Sequence, residues 1–89
     1  MPENEFDIER MRRLSDTIEA EAAAEDRSVV VISKSGSRVQ DVRYSARAFR
    51  LGSEELSELT LKLVKEASDK AGRELSEALM SMRQNGPSR

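Results

Sequence analysis

The chain has 89 residues, room for one domain, and carries 15 Lys and Arg against 17 Asp and Glu, a net charge of −2. It contains no Cys and no His, which excludes a disulfide framework, a thiolate or imidazole metal site and the commonest general base. No apolar run nears the roughly 20 residues needed to span a bilayer, and the acidic start, Met1 to Glu9, is unlike a secretory or transit signal. A soluble cytoplasmic protein that does not engage membranes is therefore expected.

Residues 1–5 read as a disordered N-terminus. From Phe6 to about Ala24 the pattern is helical, with Ile8, Met11, Ser15, Ile18 and Ala22 at steps of three and four. An edge strand within Glu19–Ala24 is the alternative. Arg27 to Ser33 then switches to strand chemistry, with Val29, Val30, Val31 and Ile32 in a row. Gly36-Ser37 as the central pair of a type II′ turn sets the register of a hairpin. Val29 then faces Tyr44 and Val31 faces Val42 on the helix-covered side, while Val30, Ile32, Lys34, Val39, Asp41 and Arg43 fall on the other. The link Ser45–Gly52 reads SARAFRLG, and Phe49 and Leu51 are expected to anchor it under the sheet. Arg43, Arg47 and Arg50 lie close in sequence, and Lys34 is expected to approach them across the hairpin.

Residues 53–84 form the dominant segment. Leu56, Leu59, Leu63, Ala67, Ala71, Leu75, Ala78, Leu79 and Met82 recur at helical spacing. Ser53 is a good N-cap, Glu54, Glu55 and Glu58 suit a helix N-terminus, and Asn85-Gly86-Pro87 supplies a stop. Glu58/Lys62 and Glu66/Lys70 are favourable helical pairs. Such a helix is about 48 Å long at roughly 1.5 Å per residue. A compact chain of this length has a radius of gyration near 12 Å, so the helix overhangs its own domain. The overhanging stripe calls for a partner, and a second copy of the chain is the simplest one. The expected dimer interface is Leu56, Leu59, Leu63, Ala67, Ala71, Gly72, Leu75, Leu79 and Met82. Gly72 stands either at a close helix crossing or at a tolerated surface position. The division is thus a single α-β-β-α domain over residues 6–84 and a disordered tail over 85–89. Phe6, Tyr44 and Phe49 are the only aromatic residues, and so small an aliphatic core again favours self-association.

Charge is unevenly spread. Residues 1–26 carry a net −6, residues 27–50 a net +5 and residues 51–89 a net −1. The basic island is either a solvated sheet face or a footprint for a polyanion. An enzyme is not expected: the carboxylates alternate with Lys and Arg on helix faces, no Ser has a His to activate it, and there is no Gly-rich phosphate loop. No cofactor or metal is implied. A helix-turn-helix signature, zinc ligands and an aromatic stacking platform are also lacking, so binding to nucleic acid would rest on backbone charge.

The order helix, valine-rich hairpin, basic linker, long helix resembles the YbaB/EbfC family of bacterial nucleoid-associated proteins. The resemblance lies in SVVVISKSGSRVQDVRYSARAFRLGSEELSEL: Val29-x-Val31, the turn, Val39-x-Asp41-Val42, Ala48-Phe49 and the Glu54-Glu55-Leu56 helix start. It covers about half the chain, and its motifs are degenerate hydrophobic positions. The glycine usual before the first valine strand is replaced by Arg27-Ser28, and a leading third strand is not evident in Glu19–Asp26. The resemblance implies an α+β fold with a hairpin or small three-stranded sheet, an intertwined homodimer, and binding of double-stranded DNA with low sequence specificity. Lys34, Arg38, Arg43, Arg47 and Arg50 are the cations expected to meet phosphates. Some YbaB-like proteins encoded beside secretion systems act as protein stabilisers, so an adaptor that binds another protein is the alternative.

Overall fold

The computed structural model describes the backbone of residues 2–85 and the side chains of residues 8–81. Helix α1 (Pro2–Thr17) is followed by strands β1 (Ala20–Ala23), β2 (Val29–Lys34) and β3 (Arg38–Tyr44), a 3-10 helix (Ala46–Arg50) and helix α2 (Ser53–Asn85). The strands form one antiparallel sheet in the order β1-β2-β3, and the class is α+β. Met1 and residues 86–89, with most of the expected tail, lie outside the described residues.

Helix α1 starts at Pro2, ahead of the Phe6 start read from the pattern; proline suits a first helical position because its missing N–H would have no partner there. The helix also stops early. Thr17 is its last residue, and Ala20–Ala23 pairs with β2 as an edge strand instead of continuing the helix to Ala24. Three consecutive alanines favour a helix by propensity alone, but tertiary context overrides it. Ala20 is buried, Ala22 and Ala24 pack on the core, and their small side chains let α2 rest on β1 as well as on β2. The β1–β2 connection closes through Ala24 N–H to Val29 O (2.9 Å) and Arg27 N–H to Ala24 O (2.9 Å), with Arg27 in the left-handed region at φ +57°.

Strand β2 is central and supplies the core. Val29, Val31 and Ser33 are fully buried on the side facing α2. The register agrees with the expected one from Val29↔Tyr44 through Val31↔Val42 to Ile32↔Asp41. Beyond that a bulge intervenes: Ser33 stands opposite Val39 and Lys34 opposite Arg38, leaving Gln40 as the extra residue. The turn is accordingly a three-residue loop, Ser35-Gly36-Ser37, with positive φ at both Gly36 (+74°) and Ser37 (+59°). A type II′ turn has positive φ only at its first central residue, so the expected turn type is corrected. The bulge absorbs the one-residue difference, which is why the body of the hairpin keeps its pairing.

The core joins Val29 and Val31 of the sheet to Ala48 of the 3-10 helix and to Leu63 and Ala67 of α2, ringed by Ala22, Ala24, Val42, Leu56, Leu59 and Val64. The cap of α2 is Gly52 rather than Ser53: Gly52 O accepts from Leu56 N–H (2.9 Å), and Glu55 Oε1 reaches back to Gly52 N–H (3.2 Å), the carboxylate half of a capping box. Ser37 N–H donates to Ser68 Oγ at 2.8 Å, tying the hairpin turn to the middle of α2. Past that tie the helix runs on to Asn85, about 25 Å at 1.5 Å per residue. The extents of 57 × 20 × 15 Å and a radius of gyration of 16.9 Å, against about 12 Å for a compact chain of this length, are those of a small globule with a projecting rod. The expected overhang is present in the single chain. Among the described residues no helix is long and apolar enough to cross a membrane.

Candidate nucleic-acid interface

The cations of the basic island fall into two groups at opposite ends of the hairpin. Lys34 and Arg38 stand opposite each other beside the turn, while Arg43 stands opposite Val30 near the open end. Four residues of strand separate Lys34 from Val30, about 13 Å at 3.3 Å per residue, so Lys34 does not approach Arg43 as expected. The alternation of β2 nevertheless places Lys34 on the face turned away from the buried Val29, Val31 and Ser33, together with Val30, which faces Arg43.

Arg38 is committed within the chain. It donates to Asp16 Oδ1 (3.0 Å), to Ser15 O (3.0 Å), to Ser15 Oγ and to Ser35 O (3.1 Å), so its guanidinium latches the end of α1 to the hairpin turn. Arg43 Nε donates to Asp41 Oδ2 at 2.8 Å, and Arg27 pairs with Glu21 at 3.1 Å. All three pairs are substantially exposed, and exposed pairs contribute at most about 1 kcal/mol. Phosphate oxygens can take the place of such carboxylates with little loss.

Arg47 and Arg50 are placed differently. Ser45 caps the 3-10 helix by accepting from Arg47 N–H (3.3 Å), Ala48 N–H donates to Ser45 O (3.0 Å), and the fully buried Ala48 pins the turn to the core. With three residues per turn, positions i and i+3 eclipse, so Arg47 and Arg50 share one outward side and Ala46 and Phe49 share the other. Among the described residues neither Arg47 nor Arg50 makes an ion pair, nor does Lys34. Arg47 does lie within electrostatic reach of Asp26. The Ser28 hydroxyl, then its N–H (3.0 Å to Asp26 Oδ1), and to a smaller degree Arg47 hold the Asp26 carboxyl below its ordinary range.

Phe49 is not the anchor expected from the sequence. It is 69% exposed, and Ala48 takes the inward position; Leu51 is only partly buried. Spacing alone does not distinguish these residues, because the orientation of a five-residue 3-10 helix is set by whichever side chain fits the space beneath it, and that space admits a methyl group. Phe49 touches Tyr44 at 6.0 Å between ring centroids, with the planes tilted by 50°.

The long stripe is divided between two uses. Leu63 and Ala67 sit in the core of their own chain, Leu56 and Leu59 pack around it, and Ala71 is fully buried. Gly72, Leu75 and Leu79, on the projecting part, are only partly buried, and the Met82 side chain lies outside the described residues. Ile8, Met11, Leu61 and Met80 are exposed apolar residues on the two helices. Among the described residues the (i, i+4) ion pairs are Arg13–Glu9 and Lys65–Asp69, not the expected Glu58/Lys62 and Glu66/Lys70.

A model of the YbaB/EbfC DNA-binding family matches residues 4–86. The chain belongs to this family. Neither the curated proteins nor the solved structures yield a match. The YbaB/EbfC family is a nucleoid-associated DNA-binding family and not an enzyme family. Its match extends over both helices, well beyond the hairpin and linker that carry the sequence resemblance. A leading strand, not evident in the sequence pattern of Glu19–Asp26, is present as β1. Where a glycine usually precedes the valine strand, Arg27 keeps a left-handed conformation that glycine would adopt without steric cost.

Proposed function

We propose that two copies of this YbaB/EbfC chain form a dimer that binds double-stranded DNA with low sequence specificity, at the nucleoid in the cytoplasm. Membership of a DNA-binding family over residues 4–86 is the observation that carries this reading. Lys34, Arg38, Arg43, Arg47 and Arg50 are the phosphate contacts. Arg47, Arg50 and Lys34 meet phosphates directly, whereas Arg38 and Arg43 exchange a carboxylate for one. Phosphate contacts carry little sequence information, which accounts for the low specificity. The dimer is held by the projecting part of α2, through Gly72, Leu75, Leu79 and Met82, because Leu56, Leu59, Leu63 and Ala67 already cover the sheet.

The pairing of Arg27, Arg38 and Arg43 with carboxylates favours a second reading, an adaptor that binds another protein and leaves DNA alone. A salt titration with a random-sequence duplex separates the two. Log affinity should fall linearly with log salt, by about 0.9 for each phosphate neutralised. Absence of binding at low salt leaves the adaptor, and binding indifferent to Arg43→Ala with Arg47→Ala takes these two arginines out of the phosphate contacts. Light scattering at micromolar concentration should give twice the chain mass; a monomer would remove the two-copy platform.

A further inference from the structure

The 3-10 helix offers more than charge. Its two outward sides carry Arg47 with Arg50 and Ala46 with Phe49, while Ala48 fills the core beneath. Phe49 is the most exposed of the large apolar side chains described, and it stands between Arg47 and Arg50 in sequence, on the outward side next to theirs. The support behind the ring is fixed: Tyr44 abuts it, and the Tyr44 hydroxyl is hydrogen-bonded to Thr60 Oγ1 on α2 at 3.1 Å. Thr60 Oγ1 in turn donates to Leu56 O at 2.8 Å. A bare ring pressed outward and backed by a second ring, with two cations along the neighbouring side of the same short helix, is complementary to a polymer that is anionic along its rails and apolar between them.

We infer that Phe49 is a base-contacting residue, an apolar wedge pressed against a base step of duplex DNA while Arg47 and Arg50 hold the adjacent phosphates. This deepens the DNA-binding reading above and rests on it. The 50° tilt between Tyr44 and Phe49 leaves no parallel slot to sandwich a whole base, so the ring acts singly, by partial unstacking of a step. Deformable steps yield most readily, which gives a phosphate-binding protein a mild preference without any hydrogen-bond readout.

The test uses the full chain and a short duplex carrying 2-aminopurine, whose emission rises when its stacking is broken. Addition of the wild-type protein should raise the emission. Phe49→Ala should abolish that rise and weaken duplex binding by about five- to a hundredfold, the span for loss of one aromatic–base contact. No charge is lost, so the slope of log affinity against log salt should stay the same, and Phe49→Leu should recover part of the signal. Phe49 is exposed, so its removal opens no core cavity. Unchanged emission and affinity in Phe49→Ala, with DNA still bound, overturn the inference and leave the phosphate reading intact. So does a Phe49→Ala protein whose mass falls to that of one chain, since the ring would then belong to a contact between copies. An effect confined to a single-stranded oligonucleotide also refutes the duplex wedge. Failure of the wild type to bind any DNA is a different result and removes the DNA-binding reading itself.

Discussion

Replacing Arg47 and Arg50 together by alanine removes two exposed cations that make no ion pair among the described residues. Both lie on the same side of the 3-10 helix, and a dimer presents them twice. Four phosphates neutralised at about 0.9 each give them a contribution near 3.6 to the slope of log affinity against log salt. Between 50 and 200 mM salt, a slope of that size amounts to a change of about 150-fold in affinity. The double variant should therefore be weaker than wild type at low salt and much less sensitive to added salt, with the two curves converging as salt rises. The assay is fluorescence anisotropy of a labelled random-sequence duplex at several salt concentrations. A thermal melt serves as the control, because the anchor of this turn is the buried Ala48 and not either arginine. A slope that flattens by less than one phosphate equivalent would show that these two side chains do not face the duplex.

Three other outcomes follow from the geometry. Gly72→Ala meets nothing within 4 Å in its own chain, so helix propensity alone should stabilise the protomer by about 1 kcal/mol; with the interface on this stripe, the added methyl stands between copies, and sedimentation should show a weaker dimer. A dimer of unchanged affinity would take Gly72 out of the interface. Arg27→Gly relieves a left-handed residue and should raise stability by about 1 kcal/mol in a denaturant titration, outweighing the exposed Glu21 pair; a lower midpoint would show that the pair matters more than the backbone. The Asp26 carboxyl is held low by Ser28, so its contribution is present above the ordinary aspartate range and is lost as pH falls through the lowered value. Asp26→Asn should therefore be less stable than wild type at neutral pH and approach it in acid, below about pH 4; a gap independent of pH would remove the Ser28–Asp26 bond as its cause.

The parts of the fold that could be read from the sequence are those in which local pattern and tertiary packing agree. Val29 and Val31 lie at strand spacing and are both buried, and Leu56 to Ala67 keep helical spacing and meet them. Strand β1 is legible only as an alternative because its alanines are strong helix formers, and it is pairing with β2, Ala22 with Val31 and Ala23 with Val30, that makes them a strand. The hairpin turn was read one residue short, since the compensating bulge at Gln40 has no signature of its own. At the candidate site, Arg43, Arg47 and Arg50 are close in sequence, and the structure puts the last two one turn apart on the 3-10 helix. Sequence proximity could not reveal that Arg38 bonds the end of α1, a contact spanning 22 residues, nor that Phe49 turns outward while Ala48 turns in.

Helix α2 is continuous from Ser53 to Asn85, so the part that rests on the sheet fixes the angular phase of the part that does not. One residue inserted after Asp69 would rotate everything beyond it by about 100°, swinging Leu75 and Leu79 to another flank while leaving Leu63 and Ala67 seated. Seven inserted residues would bring the two leucines back to within about 20° of their original direction and carry them roughly 10 Å further out. The projecting segment thus behaves as a keyed shaft, whose bearing on any neighbour is set by the valines beneath its other end.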